Sequence, residues 1–322
     1  MSLMAARSVR IDGATTIPGL QGSLVALATP FRDGRLDECA LMKLCQRQID
    51  AGSRALVVCG STGEASSLSL AEHVRVVAIA VEVASRRIPV IAGCGGPTTE
   101  AAVALATSGA RHGAAGLLCA PPPYIKPTQE GIIAHVRAVS QASNQPVVLY
   151  DVPSRAGVAI ADVTVARLFE SNAIVALKDA TADLARVSRL RAMCGGELVQ
   201  LSGDDATAVA YLAMGGHGWV SVTANVVPRL CALCHTAWDD GDLHLVGQIR
   251  DLLAPLHEAL FVESNPIPLK AALFLVSLAS DQVRLPLTRA IDTTRHRLAQ
   301  ILVEVLRAEE SWTTRPRLAA FG

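Results

Sequence analysis

The chain has 322 residues, of which 51% are hydrophobic and 18% are charged, so we expect a folded protein with a large core rather than a disordered one. Its 29 basic and 29 acidic residues cancel and are interspersed, so no nucleic-acid partner is predicted. The longest apolar run, 269–279, is well short of the ~20 residues that cross a bilayer, so no membrane association is predicted either.

Residues 1–17 lack the apolar segment of a signal peptide, and we predict a flexible N-terminal arm. The eight cysteines lie in apolar periodic segments instead of at the spacings of a disulfide framework, which indicates a reduced, cytoplasmic protein. The run Cys231-Ala-Leu-Cys234-His235 matches the pattern for c-type haem attachment, but it falls on a predicted helix. Haem attachment needs an exported, largely unstructured segment, so haem is not predicted, and a zinc site would need a second ligand pair nearby, which the sequence does not show.

Eight short apolar runs predict buried β-strands. They are almost continuously hydrophobic rather than alternating, which is typical of parallel strands covered on both faces. The runs are 23–29, 54–60, 88–94, 114–120, 146–151, 173–178, 197–202 and 217–222.

Helical segments separate these runs. Residues 69–86 begin with the capping box Ser69-Leu-Ala-Glu72, and three further segments end at glycines that favour a helix C-terminus. These three segments are 37–51, 98–112 and 204–214.

Repeated strand–helix units over residues 18–241 predict an α/β fold, a (β/α)₈ TIM barrel. The competing doubly wound sheet would need a glycine-rich fingerprint after the first strand, where Thr29-Pro30-Phe31 stands instead. From residue 242 only helices are predicted, at 242–263, 265–280 and 286–308. They predict a C-terminal helical domain, 242–322, whose apolar faces pack on the barrel or on a neighbouring subunit.

The C-terminal rim of such a barrel, where active sites lie, collects the residues with catalytic potential. They occur in Gly60-Ser61-Thr62-Gly63-Glu64, at Tyr124, in Tyr150-Asp151-Val-Pro153-Ser-Arg155, at Lys178, in Ser202-Gly203-Asp204-Asp205 and in Ser221-Val-Thr223-Ala-Asn225. Each also has a purely structural interpretation: a tight turn for Gly60–Gly63, a packing aromatic for Tyr124, a solvated residue for Arg155 and a helix cap for Asp204. Their convergence on one rim favours a functional site.

Lys178 ends the sixth apolar run in a chain that has only four lysines. A lysine can lose its proton and attack a ketone, whereas an arginine cannot, so Lys178 is the predicted nucleophile unless it merely extends to solvent. The iminium would allow a proton to leave the adjacent carbon, and the hydroxyls of Tyr150, Ser61 and Tyr124 could relay protons. The Gly60–Gly63 loop and Arg155 could each hold a carboxylate.

Over residues 20–310 the chain resembles the dihydrodipicolinate synthase / N-acetylneuraminate lyase family of Schiff-base aldolases. The motifs that carry the resemblance are Gly60-Ser-Thr-Gly-Glu64, Tyr150-x-x-Pro153-Ser-Arg155-x-Gly157, Leu177-Lys-Asp-Ala-Thr181, Leu201-Ser-Gly-Asp-Asp205, Gly215-Gly-His-Gly-Trp-Val-Ser-Val-Thr-Ala-Asn225 and Phe261-Val-Glu-Ser-Asn-Pro-Ile-Pro-Leu-Lys270.

The resemblance implies a role for each candidate residue. Lys178 would form an imine with pyruvate, Tyr150 would shuttle protons there, and Ser61 and Tyr124 would complete the relay, with Tyr124 donated by a neighbouring subunit. Thr62 and Ser61 would hold the pyruvate carboxylate. Gly203 and Val220 would lie in the pyruvate pocket, and Arg155 would bind the carboxylate of a small aldehyde substrate.

The resemblance also implies a lyase that needs no cofactor beyond the covalent imine on Lys178, and a homo-oligomer built as a dimer of dimers. Arg155 favours condensation of pyruvate with L-aspartate 4-semialdehyde, in the pathway to diaminopimelate and lysine. The alternatives are an aldolase or dehydratase acting on a 2-keto-3-deoxy acid or on 4-hydroxy-2-oxoglutarate, and a non-catalytic pyruvate-binding sensor.

Three departures from the family pattern qualify these expectations. Ser61 stands for threonine and loses the methyl group that restrains its rotamer. Asp151 stands for asparagine and is expected to add negative charge near the site. The positions matching a regulatory lysine site keep His73 but otherwise include Leu70, Pro97, Ala101 and Pro123, so we predict weak lysine inhibition or none.

Overall fold

The computed structural model describes residues 17–312, and its centre is a closed barrel of eight parallel strands. Each strand pairs with the next along the chain, and the eighth pairs with the first, so the predicted (β/α)₈ barrel is confirmed. The strands are β1 (Gly22–Ala26), β2 (Leu56–Val58), β3 (Val90–Gly93), β4 (Gly116–Cys119), β5 (Val147–Asp151), β6 (Ala176–Asp179), β7 (Val199–Ser202) and β8 (Gly218–Ser221).

The barrel strands are buried along nearly their whole length, because side chains on one face fill the barrel and those on the other lie under the helices. This double burial explains the continuous hydrophobicity of the eight runs. The strands are shorter than the runs that predicted them, since the last residues of several runs leave the sheet to form the rim. Cys59, for example, follows β2 with a positive φ of 53°.

Twelve helices occur in the described part of the chain. Those before residue 242 are α1 (Glu38–Asp50), α2 (Leu70–Ala84), α3 (Thr99–Arg111), α4 (Gln129–Ser143), the one-turn α5 (Pro153–Ala156), α6 (Asp162–Glu170), α7 (Ala185–Cys194), α8 (Ala208–Ala213) and α9 (Pro228–Asp239). None of the described helices is both long enough and apolar enough to cross a membrane.

The predicted helix starts are confirmed at α2 but not at α8. Ser69 and Glu72 form the predicted capping box at the start of α2. The segment predicted as a helix from residue 204, however, becomes helical only at Ala208. Asp204 accepts hydrogen bonds from the Ala206 backbone N–H and from the Thr207 hydroxyl, and therefore holds a turn at the rim instead of capping α8.

The C-terminal region contains α10 (Leu243–Ala259), α11 (Ile267–Leu275) and α12 (Asp292–Ser311). The predicted helices were too long at their inner ends, because residues 260–266 and 276–291 are largely non-helical and reach back to the barrel rim. Glu309 on α12 accepts the backbone N–H groups of Arg229 and Leu230, which ties this region to the start of α9.

A short hairpin, Phe31–Arg32 with Arg35–Leu36, follows β1 and was not predicted. The predicted N-terminal arm, residues 1–17, lies outside the described residues except for Ile17, which is buried. The division of the chain at residues 241/242 stays a prediction.

Candidate active site

A cavity of about 650 Å³ opens at the C-terminal ends of the strands. Its wall includes Gly60 and Ser61 after β2, Tyr150 at the end of β5, Arg155 on α5 and Asn265 from the C-terminal region. The sequence predicted the first four at this rim, and the structure brings them together around one space. Asn265 had been quoted only as part of a motif, with no role.

Tyr150 lines this cavity, whereas Lys178 lies beside Tyr150 and does not itself line it. They are register partners on the adjacent parallel strands β5 and β6, so their side chains project from the sheet side by side. The Lys178 amine lies 4.2 Å from the centroid of the Tyr150 ring, and both residues are buried. Lys178 therefore does not extend its amine into bulk solvent.

The residues that follow this pair point the opposite way. Asp151 and Asp179 are also register partners, and side chains alternate along a strand, so their carboxylates face away from Tyr150 and Lys178. Both contact Arg186 on α7, at 2.7 Å and 3.4 Å. All three side chains are almost fully buried. The guanidinium thus clamps the ends of β5 and β6 on the side opposite to Tyr150 and Lys178.

This clamp corrects the expectation for Asp151. Its carboxylate is paired with Arg186 and also accepts the backbone N–H of Ile160, so it does not add free negative charge to the cavity. Burial raises the pKa of the Asp151 carboxyl, and the Arg186 charge opposes that shift. The substitution of aspartate for asparagine is therefore matched by an arginine on the neighbouring helix, for which the sequence offered no signal.

Gly203 and Asp205 shape the side of the site next to Lys178. Gly203 packs so closely that a Cβ atom at this position would lie 3.2 Å from Lys178 Cε. Asp205 is buried and accepts the backbone N–H groups of Val222 and Thr223, which fixes the chain beyond β8. Val220 is buried on β8, but it does not line the cavity.

The loop Gly60–Glu64 is both a tight turn and a wall of the cavity. The Gly60 carbonyl accepts the backbone N–H of Gly63, and the Ser61 carbonyl accepts that of Glu64. Ser61 lines the cavity, while Thr62 is buried and its hydroxyl accepts a hydrogen bond from the Asn265 amide at 2.9 Å. The two interpretations of this loop offered by the sequence are therefore compatible.

Glu64 closes the loop in a left-handed backbone conformation, which is unfavourable for a residue with a side chain. A buried ion pair with Lys270 on α11 and the backbone N–H of Arg284 hold its carboxylate. Burial lowers the pKa of Lys270 to about 8, and Glu64 opposes that shift. Lys270 also lies over the ring of Phe31, so the loop is fastened to the C-terminal helices.

Arg155 lies at the mouth of the cavity, on the one-turn helix α5. One guanidinium nitrogen donates to the Asn265 carbonyl at 3.0 Å, and no other hydrogen bond or ion pair of this side chain is found among the described residues. The remaining guanidinium donors can therefore meet an incoming anion.

Tyr124 is the one predicted relay residue that stands apart. Its side chain is 92% exposed and it does not line the cavity, and its backbone has a positive φ of 75°. Within one chain the structure therefore places Ser61 and Tyr150 on one cavity and Lys178 beside Tyr150, but it leaves Tyr124 outside. Ile125 beside it is exposed as well, so this loop presents apolar surface.

Sequence reasoning missed Arg186, Asn265 and Lys270 as organisers of the site. Lys270 carried a detectable signal, because it is one of only four lysines and lies in an apolar run. Asn265 was marked only as part of a motif and Arg186 not at all, and their contacts with Thr62 and Asp151 lie 203 and 35 residues away along the chain.

The model of the dihydrodipicolinate synthetase family matches residues 19–305. The chain belongs to this family. The resemblance inferred from the motifs is thus confirmed, and it covers the barrel together with most of the C-terminal helices.

Individual relatives agree with this assignment. The chain is 46% identical over 284 residues to the 4-hydroxy-tetrahydrodipicolinate synthase of Rhodospirillum centenum, covering 88% of this chain and 98% of that protein. The dihydrodipicolinate synthase of Aquifex aeolicus superposes with a TM-score of 0.86 at 38% identity, covering 88% and 97% of the two chains. The chloride-inhibited enzyme of Acinetobacter baumannii, solved with pyruvate, gives 0.86 at 39% identity, covering 89% and 99%.

Proposed function

We propose that this family member is a 4-hydroxy-tetrahydrodipicolinate synthase, a Schiff-base lyase that condenses pyruvate with L-aspartate 4-semialdehyde. The observation that carries the proposal is the buried Lys178 amine 4.2 Å from the ring centroid of Tyr150, its partner on the adjacent strand, which lines one cavity together with Ser61 and Arg155. The names of the relatives and the pyruvate bound in the A. baumannii enzyme support it.

The chemistry begins at Lys178. Its free amine attacks the ketone carbon of pyruvate, water leaves, and a cationic imine forms that withdraws electrons from the adjacent methyl group. Loss of a proton from that methyl group gives an enamine, whose carbon attacks the aldehyde carbon of the second substrate. The aldehyde oxygen takes up a proton, and the amine of the aldehyde substrate then displaces Lys178.

Proton movements in these steps need hydroxyl groups close to the imine. The hydroxyl of Tyr150 and that of Ser61 serve this role, because both residues line the cavity and can each donate and accept a proton. The exposed Tyr124 joins them from a second copy of the chain, whose corresponding loop carries it into the cavity. The active unit is accordingly at least a dimer, and the full assembly is a dimer of dimers in the cytoplasm.

The two substrates are distinguished by their carboxylates. Thr62 and Ser61 hold the pyruvate carboxylate in the Gly60–Glu64 loop. Arg155, at the mouth, holds the carboxylate of the aldehyde with the guanidinium donors that Asn265 leaves free. Arg155→Ala should therefore raise the KM for the aldehyde and leave formation of the pyruvate adduct intact.

One experiment tests the mechanism. The protein is incubated with pyruvate, reduced with borohydride and digested, and the adduct is located by mass spectrometry. The adduct is expected on Lys178, with Lys270 as the internal control, because Lys270 is equally buried but is paired with Glu64. Lys178→Arg should abolish the adduct and the activity, since the charge remains but the nucleophile is lost. An unmodified Lys178 contradicts the proposal.

A second measurement fixes the aldehyde. Turnover of L-aspartate 4-semialdehyde with pyruvate is compared with cleavage or dehydration of 2-keto-3-deoxy acids and of 4-hydroxy-2-oxoglutarate. We expect the highest kcat/KM for the semialdehyde. Faster turnover of a keto-deoxy acid would replace the proposed substrate, and adduct formation without any turnover would indicate a pyruvate-binding sensor.

Feedback by lysine is expected to be weak or absent. His73, the one polar residue retained among the compared positions, is buried and its Nε2 contacts the Gly93 carbonyl at 2.7 Å. Pro97 and Pro123 line the adjacent wall of the cavity and offer no side-chain polar group. Initial rates measured against added lysine test this expectation, and inhibition below millimolar lysine contradicts it.

A further inference from the structure

Asn265 contacts both Thr62 and Arg155, the residues proposed to hold the carboxylates of pyruvate and of the aldehyde substrate. It lies in the non-helical stretch between α10 and α11 and is 6% exposed. Its side-chain amide donates to the Thr62 hydroxyl at 2.9 Å, and its backbone carbonyl accepts from the Arg155 guanidinium at 3.0 Å. A single residue from outside the barrel therefore touches the pyruvate side and the aldehyde side of the cavity.

The hydrogen bond from the Asn265 amide determines where the Thr62 hydroxyl can donate its own proton. A hydroxyl group carries one proton, and when a donor occupies its oxygen, that proton must be directed elsewhere. No acceptor for the Thr62 hydroxyl proton is found among the described residues, and Thr62 stands in the loop that lines the cavity. The amide of Asn265 thus orients the hydroxyl so that it can donate to a carboxylate in that loop.

The surroundings of Asn265 limit how its amide can turn. Its Oδ1 is buried and accepts no hydrogen bond from the described residues, so the side chain is held through its donor end, by Thr62. At the far end of the same loop, Glu64 is held by Lys270, five residues beyond Asn265. The segment Asn265–Lys270 therefore fastens the loop at its middle and at its end.

We propose that Asn265 is a positioning residue for pyruvate: through its amide it directs the Thr62 hydroxyl at the substrate carboxylate, while its carbonyl fixes Arg155. This inference deepens the proposed function and rests on it. It assigns a role in substrate affinity to a residue that touches neither the imine nor the proton relay.

The test uses the full-length protein and measures the pyruvate concentration that half-saturates formation of the reduced adduct on Lys178. Asn265→Ala should raise this concentration about ten-fold, the effect of losing one hydrogen bond to a charged group. Asn265→Asp should raise it further, because a carboxylate would compete for the Thr62 proton and repel the substrate. The KM for the aldehyde should change little, since the backbone carbonyl that holds Arg155 remains.

A double-mutant cycle shows whether Asn265 acts through Thr62. Thr62→Val removes the hydroxyl and keeps the shape, so adding Asn265→Ala to it should cause no further loss of pyruvate affinity. Additive losses, or a parallel rise in the aldehyde KM, would instead indicate a general loosening of the site and overturn the inference.

Glu263→Gln is the matched control, because it alters a neighbouring side chain whose contact is the backbone N–H of Ile291. It should leave pyruvate half-saturation unchanged. If the wild-type protein forms no adduct, the proposed function fails and the inference fails with it. If the wild type forms the adduct and Asn265→Ala half-saturates at the same pyruvate concentration, only the inference fails.

Discussion

Tyr150 and Lys178 occupy paired positions on adjacent parallel strands, and the lysine amine lies over the tyrosine ring at 4.2 Å from its centroid. The ring and the hydroxyl of Tyr150 can therefore act separately. The ring face attracts a cationic nitrogen, while the hydroxyl is available to transfer a proton.

Tyr150→Phe separates these contributions. The ring and its packing remain, so we expect a folded protein of normal stability, but kcat should fall by about 10²- to 10⁴-fold because the proposed proton relay loses the hydroxyl carried by the strand partner of Lys178. Steady-state kinetics with a thermal unfolding curve provide the measurement. Tyr211→Phe is the control, since Tyr211 is also buried, its hydroxyl has no partner among the described residues, and it lies on α8. A Tyr150→Phe protein with unchanged kcat would rule out the relay.

Gly203→Ala should displace the nucleophile. The added Cβ would lie 2.9 Å from Ala180 Cβ, 3.1 Å from the Asp179 carbonyl oxygen and 3.2 Å from Lys178 Cε, so the lysine or its strand must shift. We expect at least a ten-fold slower formation of the pyruvate adduct and about 1–3 kcal/mol of lost stability from overpacking.

Gly247→Ala serves as the comparison for this substitution. A Cβ at Gly247, on α10, meets nothing within 4 Å. Because alanine favours a helix, this variant should gain about 0.5–1 kcal/mol and keep its activity. If Gly203→Ala and Gly247→Ala had the same stability and the same rate of adduct formation, the close packing of Gly203 against Lys178 would not matter for either property.

Removing one partner of the buried Glu64–Lys270 ion pair should lower the free energy of unfolding more than removing both. Lys270→Met leaves the Glu64 carboxylate buried without its counter-ion, and we expect a loss of about 3–5 kcal/mol in the free energy of unfolding. Adding Glu64→Gln should recover much of it, because the amide oxygen can still accept the Arg284 backbone N–H. Urea denaturation measures both variants. A double variant less stable than Lys270→Met would contradict this account.

Glu72 should contribute to stability at neutral pH, and this contribution should be lost in acid. Hydrogen bonds from Arg284, one of them 2.7 Å long, lower the pKa of Glu72 from its ordinary 4.5 to about 2. Because the folded pKa is the lower one, the stabilisation is complete above about pH 4.5 and is lost as the pH falls toward 2.

Glu72→Gln should therefore reduce stability at neutral pH and flatten the pH dependence between these limits, while the glutamine keeps the capping position. Unfolding curves between pH 2 and pH 7 test this. Glu82→Gln, on the exposed side of the same helix α2, should leave the pH dependence unchanged. A Glu72→Gln protein with the wild-type pH profile would show that the contact with Arg284 is not stabilising.

Much of the site was accessible from the sequence because local chemistry marks it. Continuous apolar runs predicted the strands, and the barrel fold then placed the residues that follow each run on one rim. The capping box at Ser69 and Glu72 predicted the start of α2 for the same reason, since its partners are three residues apart. The C-terminal helices were predicted too long, because contacts with the barrel rim, not local propensity, decide the conformation of residues 260–266 and 276–291.

The sequence alone determined the barrel, the family and several of the residues at its rim, because burial on both faces and short motifs leave a direct trace in the order of amino acids. Only the tertiary structure decided how those residues are held. Asp151 became the partner of Arg186 instead of a charge in the cavity, and Asn265 came to lie between Thr62 and Arg155. Such pairings join residues that are far apart in the chain, and the direction of each side chain is settled only when the strands and helices pack together.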